Sequence, residues 1–212
     1  MPGIANLTVE EFQERINRFD QKYVRDWNSW LNTQENARAT RFGNILRKWQ
    51  ACRPNRMRRI RTENQHDAPY LEDLIAHAAP HLRILRDFDI RENISFTKTN
   101  CDSLEALWCI FRDLSYQGRA RNGQAGIVAI SKAALLLTDG GIGPAFDSKV
   151  RGHLNLQNIG DANQWIEALK IVSRDIQNFE ANNQIKLAQA APHPHGGLQN
   201  GRIYDMALGP GG

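Results

Sequence analysis

The chain has 212 residues, 41% of them hydrophobic and 24% charged, with a formal net charge of +4, an ordinary balance for a soluble globular protein long enough to bury a substantial core. No run is long and apolar enough to cross a bilayer, and the opening Met1-Pro2-Gly3-Ile4 stretch lacks the basic and apolar regions of a secretory signal, so no membrane partner and a cytoplasmic location are expected. Cys52, Cys101 and Cys109 are odd in number and lack C-x-x-C spacing, which argues against a disulfide framework and a thiolate metal site; all three read as structural, with Cys109 in the core.

Charge is unevenly spread. Residues 1–61 carry 13 Lys and Arg against 6 Asp and Glu, a net +7, whereas the remainder is net −3. Within this basic region Thr8 and Glu11 form a capping-box signature, and Phe12, Ile16, Phe19, Tyr23, Trp27 and Trp30 follow at helical spacing. That aromatic face is expected to dock either on the rest of the domain or on a second copy of the chain, as a homo-oligomer. Phe42, Ile45, Leu46 and Trp49 mark a second helix, which should run out at Cys52-Arg53-Pro54. Next comes the densest basic cluster, Arg56, Arg58, Arg59 and Arg61. Guanidinium groups so close together repel one another unless an anion is near, so the cluster is either a solvated loop or a phosphate-binding surface.

Residues Thr62 to Ala68 read as a polar linker. A helix with the stripe Leu71, Leu74, Ile75, Ala78 and Leu82 should start near Pro69, capped by Asp67, and should end or kink at Pro80. Phe88 to Phe96 alternates loosely and suits a short strand or an irregular connection. Asp102 or Ser103 is expected to cap a helix with the stripe Leu104, Leu107, Trp108, Phe111 and Leu114. The loop from Gln117 to Gly126 carries Arg119, Arg121 and glycines beside a helix start, which makes it either an anion site or an ordinary turn.

From Ile127 to Leu137 every residue is apolar except Ser131 and Lys132, as expected for a central helix. An ammonium group there must reach solvent, find a carboxylate or lose its proton. Asp139 and Asp147 follow, and Asp147 precedes Ser148-Lys149-Val150 as a helix N-cap. The lysine is either half of a buried structural pair or a nucleophile with a carboxylate at its side. Asp161 opens a long helix through Trp165, Leu169, Val172, Ile176 and Phe179, and the tail from Ala190 is rich in Pro, Gly and His. His193 and His195 have no further ligand spacing, so neither a metal nor a cofactor is assigned. The expected organisation is a basic helical region at 1–61, a helical core at 62–189 and a Gly/Pro/His-rich tail at 190–212.

The stretch Gly126 to Lys132, with Phe146-Asp147-Ser148-Lys149-Val150 and the closing Arg202-Ile-Tyr-Asp205-Met-Ala-Leu208, resembles a group of poorly characterised bacterial proteins with a Ser-Lys … Asp-Ser core. Those proteins resemble the helix-hairpin-helix DNA glycosylase superfamily, in particular its 8-oxoguanine glycosylase-like branch, over roughly residues 104–208. The resemblance implies a mainly α single domain of helix-hairpin-helix glycosylase-like fold with an N-terminal helical extension. It also implies DNA as partner and a base-excision glycosylase or abasic-site lyase activity, with Lys132 as nucleophile and Asp147 stabilising positive charge on the sugar. Arg56, Arg58, Arg59, Arg61, Arg119 and Arg121 would hold phosphates around a flipped base. The alternative function is a non-catalytic helical interaction or nucleic-acid-binding module in which Lys132 and Asp147 are structural.

Overall fold

The computed structural model describes residues 3–63, 65, 67–116 and 123–211, and within them the chain is mainly helical, with no strand beyond an isolated bridge between Met57 and Ser115. Ten α-helices follow one another: α1 (Val9–Arg18), α2 (Gln21–Leu31), α3 (Arg38–Lys48), α4 (Leu71–Ile84), α5 (Lys98–Arg112), α6 (Ile127–Leu137), α7 (Ser148–His153), α8 (Ala162–Asn183), α9 (Leu187–Ala190) and α10 (Asn200–Leu208). Nine of the eleven residues of α6 are buried, as its apolar circumference requires. It packs between α3 and α5, α5 also covers α4 and α8, and α10 lies on α1 and α7. A single apolar core draws residues from all three expected regions, from Ile4 to Leu208.

Local chemistry explains several boundaries that differ from expectation. The capping box at Thr8 and Glu11 forms, but the first aromatic helix is two helices, because the Asp20 carboxylate accepts the Lys22 N–H and caps a new start. Phe12, Ile16, Phe19, Trp27 and Trp30 are at most 2% exposed and Tyr23 is partly buried, so this face docks on the chain's own core, the first of the two expected alternatives. Pro80 neither ends nor breaks α4. Pro80 and Ala76 are both on its exposed side, where the carbonyl that loses its donor faces water. Helix α4 starts at Leu71 rather than Pro69, with the Asp73 carboxylate accepting the Tyr70 N–H, and Asp67 is not its cap. Thr97, not Asp102 or Ser103, caps α5 through the Asn100 N–H. Cys109 is exposed rather than in the core, one turn beyond Glu105 on the outward stripe of that helix. Residues 88–96 form the irregular connection of the two expected alternatives, with a 3-10 turn at Asn93–Ser95 and another just before it at Leu85–Asp87.

The turn after α6 is built for close approach. Gly140 has φ +94°, and a Cβ there would stand 2.7 Å from the Arg202 Cβ, so a side chain is excluded by both conformation and space. This brings α10 against the end of α6. The N-terminal segment is tied down as well, since the Asp175 carboxylate accepts the Ile4 N–H at 2.7 Å, the Ala5 N–H at 3.2 Å and the Tyr204 hydroxyl at 2.7 Å.

Candidate functional site

Lys132 lies one and a half turns into α6 and is 7% exposed. Its ammonium donates to the Trp49 carbonyl at 2.6 Å, at the C-terminal end of α3, where the helix dipole favours a cation. Asp139 is not its partner: that carboxylate accepts the Trp30 indole N–H at 2.9 Å and faces Arg38 at 3.6 Å. Asp147 caps α7 as expected, accepting the Lys149 and Val150 N–H groups at 2.9 and 3.0 Å. Burial lowers the proton affinity of Lys132 below the ordinary lysine value, and Asp147, then Asp205, pull it part of the way back.

Lys132 and Asp147 line one narrow cleft with Phe19, Tyr23, Trp49, Ala145, Arg202, Asp205 and Pro210. Its volume is about 10 Å³, room for about one water molecule. Two backbone clamps hold the Asp147 loop there. The Phe146 N–H donates to the Ser131 hydroxyl at 2.9 Å, while that hydroxyl donates to the Ile127 carbonyl, so the serine preceding the lysine fastens the loop to α6. The Ala145 N–H donates to Asp205 at 2.9 Å. Asp205 is joined to Arg202 at 2.6 Å, and the Arg202 guanidinium sits over the rings of Trp27, Phe19 and Trp49 at 4.6, 5.0 and 5.9 Å. Burial pushes the Asp205 carboxyl upward, and Arg202, then the Ala145 N–H, oppose it; arginine keeps its proton in proteins, so the carboxyl lies against a fixed cation.

The basic cluster does not act as a unit, because the chain turns after Pro54 and sends its side chains to different places. Arg58 is 7% exposed and donates to the carbonyls of Asp113 and Asp67, stacked on Tyr116, which makes it a structural strut. Arg61 pairs with Asp73, and its backbone N–H donates to Glu72. Arg59 is half-buried, with its backbone N–H held by the Gln65 side chain. Arg56 lines a hollow of about 230 Å³, together with Arg53, Cys52 and the segment leading into α6. Arg119 and Arg121 lie outside the described residues.

A larger hollow of about 570 Å³ shares Ala51, Gln124, Ala125 and Gly126 with the first and adds Arg112, Arg151, Trp108 and Ile127. Among the described residues no carboxylate lines either hollow, and the Nε of Arg151 is buried without a hydrogen-bond partner. Gly126, the N-cap of α6, supplies no side-chain cap and lines both hollows, so the positive end of the helix dipole lies at this groove. Helix α6 carries the wall from Ile127 to Lys132, about 7.5 Å at 1.5 Å per residue, and α7 likewise runs from Asp147 at the cleft to Arg151 at the groove.

Sequence reasoning missed Arg112 and Arg151 in the groove and assigned no role to Arg202 and Asp205. The latter pair was visible by the same signal as Lys132, charged residues set among Ile203, Tyr204, Met206, Ala207 and Leu208 in one helix. Among the described residues no group of His, Cys, Asp and Glu could hold a metal ion, and no helix is long and apolar enough to cross a membrane. No family model matches the chain, and no curated protein or solved structure matches it.

Proposed function

We propose that the protein binds DNA along the arginine-lined groove at the start of α6 and acts on a flipped-out nucleotide with the Lys132 amine, as a glycosylase or abasic-site lyase of the superfamily its central stretch resembles. The observation that carries this reading is a buried lysine of lowered proton affinity, sharing a cleft with a capping aspartate, about 7.5 Å along one helix from a groove with four arginines and no carboxylate among its described residues. Neutral amine is the nucleophilic form, and burial raises its share near neutral pH. In the reaction the Nζ lone pair bonds to the anomeric carbon, the electron pair of the glycosidic bond departs with the base, which takes up one proton shed by the nitrogen, and Asp147 offsets the positive charge that develops on the sugar. The bond from the anomeric carbon to the ring oxygen then breaks, that oxygen takes the second nitrogen proton, and the C=N bond of an imine forms. The closed cleft cannot admit a base, so its wall must open at Tyr23 or Pro210, which are partly exposed.

Incubating the protein with duplexes carrying an abasic or an oxidised site in the presence of borohydride should trap a covalent adduct that Lys132→Ala abolishes. No adduct on any lesion overturns the catalytic reading. One observation favours a second reading. The Lys132 ammonium already has a partner in the Trp49 carbonyl, which supports a structural strut between α6 and the end of α3 in a nucleic-acid-binding or protein-interaction module without chemistry of its own.

A further inference from the structure

Arg202 and Asp205 stand inside the Lys132 cleft, and the chemistry proposed above gives them no part. The two side chains are 1% and 5% exposed, in a helix whose other central residues are apolar. A buried ion pair is often no more stabilising than apolar side chains of similar volume, so the contacts around the pair matter more than its contribution to folding. One Asp205 oxygen is held by Arg202 and the other takes the Ala145 N–H, two residues before Asp147. Arg202 in turn packs on the Trp49 ring, and the carbonyl of the same tryptophan receives the Lys132 ammonium.

We propose that Asp205, held by Arg202, is the positioning residue of the cleft: it fixes the loop that carries Asp147 and sets a second carboxylate beside Lys132. The loop thus has two anchors, Ser131 from α6 and Asp205 from α10, and its backbone cannot move off these helices without breaking both. The groups facing Lys132 are Asp147 from α7, Asp205 and Arg202 from α10, Tyr23 from α2 and Cys52 from the segment after α3. Helix α5, on another side of α6, buries Ser103, Leu104, Leu107, Trp108 and Phe111, none of them charged. Asp205 therefore supplies one of two negative charges acting on the amine.

The test is an NMR titration of the lysine ε-carbons, with the Lys132 signal assigned by its loss in Lys132→Met. In Asp205→Asn an amide oxygen can still accept the Ala145 N–H while the charge is gone, so the Lys132 midpoint should fall, by about one pH unit. An unchanged midpoint in the folded variant overturns the proposal. If Asp205→Asn does not fold, the proposal is read from the parent protein instead. Wild-type protein supplies a readout independent of either variant: the Ala145 amide should exchange its hydrogen slowly, and exchange as fast as an open loop refutes the anchoring. The role of Asp205 rests on Lys132 being the working amine, but the titration reads the amine itself. A shifted midpoint without a borohydride adduct defeats the lyase reading alone, and an adduct with an unshifted midpoint defeats this one alone.

Discussion

Replacing Arg202 by methionine isolates the most costly interaction in the cleft. The guanidinium is 1% exposed, lies 2.6 Å from Asp205 and stacks on three aromatic rings. Methionine keeps much of the apolar stem but leaves a buried carboxylate with the Ala145 N–H as its remaining described partner. Breaking a buried pair from one side costs about 3–5 kcal/mol, a large part of the roughly 5–15 kcal/mol that holds a domain together. Asp205→Asn alone leaves the guanidinium without its carboxylate, with the Tyr23 carbonyl at 3.4 Å as its remaining described hydrogen-bond partner, and should cost a similar amount. In the double variant neither charge remains to be desolvated, so the loss should shrink to about 1–3 kcal/mol, the cost of an imperfectly paired buried amide, well below the sum of the singles. Urea unfolding followed by tryptophan fluorescence measures all three, and Trp27 and Trp49 report directly because they sit against the guanidinium. Single losses under about 1 kcal/mol, or a double loss equal to their sum, would show that the buried pair is not coupled and refute the reasoning.

Two further outcomes follow from the site. If the groove tracks a phosphate backbone, DNA affinity should fall steeply with added salt, and Arg112→Gln and Arg151→Gln should each reduce the log–log salt slope by about one. Unaltered slopes place the DNA elsewhere or nowhere. Because burial lowers the Lys132 proton affinity in the folded state, the folded chain sheds that proton before the unfolded chain does, and stability gained from this group rises with pH between the lowered value and the ordinary 10.5. Lys132→Met should therefore be at least as stable as the parent near neutral pH, with an advantage that shrinks as pH approaches 10.5. A constant difference across that range, measured by denaturant unfolding at each pH, would mean that the lysine pays no burial penalty.

Where a signal is local, the sequence carries it. Short-range hydrogen bonds and the helical period settle the capping box at Thr8, the central helix at 127–137, the Asp147 cap and the long helix after Asp161, and each of these elements is present. The apolar circumference around Lys132 likewise announces that its ammonium is buried. Which partner satisfies it was not legible, because a backbone carbonyl carries no residue-type signature, and the Trp49 carbonyl lies 83 positions away. For the same reason the cluster from Arg56 to Arg61 reads as either a solvated loop or a phosphate-binding surface, while folding turned Arg58 and Arg61 into struts and brought Arg112 and Arg151 to the groove instead. Period and capping act within a few residues and decide what each segment becomes. Burial, and the meeting of α6, α7 and α10 around one lysine, depend on contacts between segments far apart in the chain, and only the packed core could choose them.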